Sequence, residues 1–161
     1  MKSREPDDHV QPPPETAQSR FPAHLAHRGV WEGTYRYIAA DGTEEGRFRS
    51  RVTCDFPGTD DVFYRQTTEL WAEDGTYSNA SFEGVDRGDH LHYDTATFHG
   101  RSWETGRGHL MLDLVRKDEP GASFVEVIIL GEGGKHRART WHWFRDGQLF
   151  RRTLCEETRA L

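Results

Sequence analysis

The chain has almost no cysteine, only two methionines and no long apolar run. Two cysteines in 161 residues, Cys54 and Cys155, cannot build a disulfide framework. The favoured expectation is a pair of reduced thiols, with one bridge between them as the alternative. No apolar stretch approaches the ~20 residues that cross a bilayer as a helix. The opening MKSREPDDHVQPPPE lacks the apolar core of a secretory signal. Together these absences predict a cytoplasmic protein without membrane contact. A basic surplus is missing too: the net charge is −6. Phosphate binding needs a concentrated basic footprint, so nucleic acid is not an expected partner. Hydrophobic residues make up only 34% of the chain and aromatics 12%, which suits strands with one wet face better than a helical bundle.

What is present is a leader followed by a long succession of alternating segments. Residues 1–24 are rich in Pro, Asp, Glu, Gln and Ser, with Pro12, Pro13 and Pro14 in a row. Such a segment cannot bury enough apolar surface to offset its ordering entropy, so a disordered tail is expected there. PAHLAHRG (22–29) could make one helical turn. Residues 25–161 form the folded domain, and from Trp31 the pattern has period two. WEGTYRYI (31–38), GRFRSRVTCDF (46–56), VFYRQTTELW (62–71), TYSNASFEG (76–84) and DHLHYDTATF (89–98) read as strands. RSWETG (101–106), HLMLDLVRK (109–117), SFVEVIIL (123–130), HRARTWHWF (136–144) and QLFRRTLCEE (148–157) follow. Asp146-Gly147 is a strong hairpin signal between the last two. Gly131-Glu132-Gly133-Gly134 is a turn and not a phosphate loop, because no helix follows it. Nine or ten short strands joined by tight turns predict an all-β, up-and-down antiparallel barrel, which removes its edges by closing.

Gly29-Val30-Trp31 at the head of the first strand resembles the Gly-x-Trp motif of the lipocalins and the wider calycin superfamily. WEGTYRY, RQTTELW and RTWHWFRDGQL, each tied to an Asp-Gly turn, look like a set of lipocalin-like bacterial domains of unassigned function. The resemblance spans roughly residues 25–159. It implies that Trp31 plugs the closed end of the barrel against an arginine near the last strand, Arg151 or Arg152. It also implies a small-molecule cavity in which an arginine on a late strand grips an anionic group.

Several residue sets could carry chemistry. His90 and His92 after Gly84 begin a cupin-like metal motif, but Ala96 and Thr97 stand where its carboxylate belongs, so no metal is expected. His92 and Asp94 share a strand face, and a carboxylate can orient an imidazole for proton transfer. Glu104, Asp113 and His142 lie on neighbouring strands. Leu91 and Tyr93 make an equally good inner face, in which case His92 and Asp94 point outward. For ligand binding, Arg139 and Arg65 are candidate anchors. Tyr35, Trp103 and Trp141 could sandwich a planar ring. The alternative places those arginines on the outside, their stems packed on aromatic neighbours.

The expected function is a cofactor-independent enzyme (an isomerase, cyclase or lyase) acting on an aromatic or polyketide-like specialised metabolite. His92, Asp94, Glu104 and His142 are its candidate acid–base residues. Tyr35, Arg65, Trp103, Arg139 and Trp141 are its candidate ligand contacts. The alternative is a non-catalytic carrier barrel, including a haem binder through His99, His109 or His142. Trp71, Trp141 and Trp143 could instead form the patch of a homodimer.

Overall fold

The computed structural model describes residues 20–161. One helical turn, α1 (Pro22–Leu25), precedes ten strands. These are β1 (Gly29–Ala39), β2 (Glu44–Asp55), β3 (Tyr64–Ala72), β4 (Tyr77–Asp86) and β5 (Leu91–Asp94). β6 (Phe98–Glu104), β7 (Leu110–Arg116), β8 (Ala122–Leu130), β9 (His136–Arg145) and β10 (Gln148–Arg159) complete the set. Each strand pairs with its predecessor, and β10 returns to β1, so the sheet is a closed antiparallel barrel. Closure leaves no free edge.

The turns follow the residues that permit them. Asp146 (φ 48°) and Gly147 (φ 77°) both adopt the left-handed conformation that a tight β9–β10 hairpin requires. The segment read as one strand over 89–98 is broken after Asp94. There the Thr95 hydroxyl accepts the backbone N–H groups of Thr97 and Phe98 and turns the chain into β6.

Residues 20–24 of the segment expected as a tail are part of the described fold. Residues 1–19 of the expected tail lie outside the described residues, but Phe21 and His24 are buried, 1% and 3% exposed. Phe21 packs on Phe63, and α1 sits across the end of the barrel where β1 begins. Trp31 is fully buried there, and its indole N–H donates to the His27 carbonyl at 2.9 Å. The arginine on Trp31 is neither Arg151 nor Arg152. Antiparallel register sets Trp31 opposite Arg159, whose guanidinium lies 4.3 Å from the ring, while Arg137 lies 4.6 Å from it. Arg151 pairs with Ala39 at the other end of β1 and covers Tyr37. Arg159 also donates to the carbonyls of Ala26, Arg28 and Gly134, tying the α1–β1 connection to the β8–β9 turn.

Close approach of β1 and β10 depends on Gly33. A Cβ there would sit 1.9 Å from the Glu156 carbonyl oxygen, a backbone atom that cannot step aside. Gly33→Ala is therefore expected to destabilise the barrel by about 1–3 kcal/mol, the usual cost of overpacking. Urea unfolding measures this. An unchanged midpoint would mean that the two strands part here without cost.

Candidate functional site

Alternation decides what looks inward. Odd-numbered residues of β1, β9 and β10 and even-numbered residues of β2, β3, β6, β7 and β8 supply the buried interior. The β9 face carrying Arg137, Arg139, Trp141 and Trp143 is thus the inner one.

Two interior spaces are lined by the described residues. The larger, about 280 Å³, opens at the end of the barrel opposite α1. That is close to the range of small-ligand pockets, roughly 300–1,000 Å³. Its walls are aromatic: Phe124, Trp141 and Trp143 on β8 and β9, Phe82 and Phe98 on β4 and β6. In the ring of ten, β9 and β4 are five strands apart, so Trp141 and Phe82 stand on opposite sides. The Trp143 indole N–H is fixed by the Thr153 hydroxyl at 2.8 Å, and Phe124 packs on its ring.

The cavity floor is polar and charged. Arg139 donates from Nε to Glu126 Oε1 at 2.8 Å and from Nη1 to the Tyr35 hydroxyl at 2.7 Å. A longer contact, 3.5 Å, joins Nη1 to Glu157, which is also paired with Arg137. Arg139 lies over the Trp141 ring, and Tyr35 meets the same ring edge-on. The four ionic groups are all 3–5% exposed. Burial pushes the Glu126 carboxyl above its ordinary pKa despite the pull of Arg139. At Glu157 burial acts in the same direction, but Arg139 and Arg137 outweigh it and hold the carboxyl below its ordinary value. Burial also raises the Tyr35 hydroxyl, keeping it protonated. Glu126 Oε2 and the Tyr35 O–H hydrogen have no partner among the described residues. Both Glu126 and Tyr35 line the cavity. An acceptor and a donor with a cation between them can therefore meet one polar group of a ligand.

The residues singled out from the sequence divide between the two faces. Tyr35, Arg139 and Trp141 come together on the cavity wall. His92 and Asp94 do not, because Leu91 and Tyr93 occupy the inner positions of β5. Asp94 is exposed and paired with Lys117, and His92 pairs across the sheet with Arg101. His142 is exposed between Val125 and Arg152 on the outer surface. Arg65 bonds Glu83 and Asp55 outside, and Trp103 lies outside beneath Arg101. Of the histidines considered for haem, His99, His109 and His142, none lines the cavity. Trp71 is external, covered by Arg49 and packed on Tyr77, whereas Trp141 and Trp143 are internal and cannot join it in a surface patch. Cys54 and Cys155 are buried free thiols.

Glu104 does bond a histidine, but at the plugged end. Its Oε1 lies 3.1 Å from His24 Nδ1, His24 Nε2 lies 2.9 Å from Ser102 Oγ, and Ser102 Oγ lies 2.8 Å from the Tyr93 hydroxyl. Acid, imidazole and hydroxyl stand in the order of a nucleophilic triad. Ser102 is 1% exposed and shared with Tyr93, so the chain acts as a latch that holds α1 on the barrel. Glu126, Glu157 and His24 were not anticipated. The visible signal for Glu126 was a lone carboxylate inside SFVEVIIL, an otherwise apolar strand.

The closed meander, the tryptophan at the plugged end and the interior cavity define a lipocalin-like barrel. No protein-family model matches the sequence, and no curated protein does. Among solved structures, the chain is similar to a protein of unknown function from the DUF3598 family of Nostoc punctiforme. The TM-score is 0.67 at 16% identity, over 85% of this chain and 49% of the other, so the chain spans about half of that protein. It is also similar to the S-type phycobiliprotein lyase CPES from Guillardia theta, with TM-score 0.65 at 14% identity over 86% and 90% of the two chains. At such identities the likeness is one of fold.

Proposed function

We propose that the barrel is a cofactor-independent enzyme for a small, planar, largely aromatic molecule, with Glu126 as its proton-transfer group. The observation that carries this reading is the joining of Glu126, Arg139 and Tyr35 on the floor of an aromatic-walled cavity. A ring held between Trp141 and Phe82 would present a carbonyl or hydroxyl to Arg139 and Tyr35. Glu126 would then take a proton from the adjoining carbon. Charge developing on the ligand oxygen is met by preorganised donors in a water-poor site. Returning the proton to a different atom gives an isomerisation; loss of a leaving group gives a lyase reaction. A barrel of this architecture occurs in a phycobiliprotein lyase, which supports the compatibility of the fold with such work.

The second reading is a carrier that uses the same floor only to hold its ligand. One planar probe separates the two. 5-Nitrobenzisoxazole opens to a coloured cyanophenolate when a base removes its C3 proton and the N–O bond breaks. Binding is read as quenching of Trp141 and Trp143 fluorescence, and turnover as colour. We expect both, with Glu126→Gln lowering the rate ~10²-fold or more while leaving the quenching in place. Quenching without a Glu126-dependent rate favours the carrier. Absence of quenching removes both readings.

A further inference from the structure

We infer that a second site, separate from the cavity, lies beneath its floor and holds a single halide-sized anion. The smaller interior space, about 20 Å³, has His27, Arg137, Tyr64, Gln66, Tyr93 and Ser102 among its lining residues. One water-sized sphere needs roughly 10–15 Å³ on such a measure. The chamber therefore takes one such body and excludes a carboxylate or phosphate.

Its polar lining is not satisfied from within. His27 and Arg137 are 3% and 4% exposed, yet both ring nitrogens of His27 and Nη2 of Arg137 have no hydrogen-bond partner. The rest of Arg137 is engaged: Nε with Glu157, Nη1 with Cys54 Sγ at 3.5 Å. The neighbouring hydroxyls are occupied among themselves, Tyr64 with Gln66 and Tyr93 with Ser102. The donors left to turn on an occupant are Arg137 Nη2 and one His27 N–H.

Charge selects an anion over water. Arg137 and Arg139 share one firmly ionised carboxylate, Glu157. The fourth member of the cluster, Glu126, is paired with Arg139, so the two inner guanidiniums are matched by two carboxylates. Arg159 adds a third guanidinium on the Trp31 ring, which Arg137 also covers. Water would meet the hydrogen bonds but leave positive charge uncompensated in a medium that penalises it. A chloride or bromide ion does both.

Crystals soaked in sodium bromide test the position: one anomalous peak is expected between His27 and Arg137. In solution, the unfolding temperature should rise by about 2–5 °C in saturating chloride or bromide over sodium gluconate of equal ionic strength. His27→Leu, which keeps Arg137 paired with Glu157, should abolish that difference. A peak without anomalous signal, equal effects of all three salts, or a bromide peak with no effect in solution each overturns the proposal. None of these outcomes depends on turnover at Glu126.

Discussion

Arg139→Leu is expected to cost the fold about 3–5 kcal/mol, the usual penalty for removing one partner of a buried ion pair. The reason is not the loss of a favourable bond in isolation. Arg139 is the counter-ion of Glu126 at 2.8 Å and touches Glu157 at 3.5 Å, with both carboxylates almost wholly buried. Without it, Glu126 must take up a proton or remain a bare charge in the interior. Tyr35 loses its partner as well. Against a typical stability of ~5–15 kcal/mol, this is a large share of the total. The double variant Arg139→Leu/Glu126→Leu leaves the Arg137–Glu157 pair intact and removes the second pair whole. Replacing a complete buried pair by apolar side chains is often nearly neutral, so the double variant should recover most of the loss. Urea unfolding of both single variants and the double completes the cycle. If Arg139→Leu alone is as stable as the parent, the floor is not an obligate ionic unit, and its use as a rigid oxyanion site loses its basis.

The barrel was legible because closure leaves a simple mark: short alternating segments, tight turns and no competing helix. RARTWHWFRDGQLF showed its two strands and its Asp146-Gly147 turn plainly. What it could not show was direction. Arg137, Arg139, Trp141 and Trp143 share one face, while Thr140, His142 and Phe144 share the other, and neither face is uniformly apolar. Composition favoured an exposed arginine face, since an arginine indoors needs a buried carboxylate. Those carboxylates, Glu126 and Glu157, sit on the two flanking strands, where only register brings them to Arg139 and Arg137. The same ambiguity on β5 made His92 and Asp94 as good a pair as Leu91 and Tyr93. His24 lay in a stretch that composition assigned to the leader, so its bond to Glu104 had no signature. Short-range pattern gave the strands; the pairings that make the site are long-range.

In halide-free buffer, lowering the pH from 7 toward 3 is expected to remove up to about 3–5 kcal/mol of stability through His27 alone. Its pKa is pushed from an ordinary 6.5 down to about 3, first by burial, then by the positive charges of Arg137, His24, Arg139 and Arg159. The folded protein therefore holds His27 neutral where the unfolded chain would protonate it. A depressed pKa contributes stability that is complete above about 6.5 and lost as pH falls toward about 3. Within that window the slope approaches ~1.4 kcal/mol per pH unit for one proton. Glu157 acts in the same direction but lower, because its loss begins as pH falls into the ordinary carboxylate range. Glu126 works the other way: its raised pKa favours the fold at acid pH and withdraws that help as the carboxyl ionises. The distinguishing variant is His27→Leu, which keeps a side chain beside Trp31 without a titrating ring. Its urea midpoint should fall much less between pH 6.5 and about 5 than the parent's, above the range where Glu157 intervenes. Parallel curves for the two proteins would show that His27 is free to protonate in the folded barrel, and that the closed end is wetter than its packing indicates.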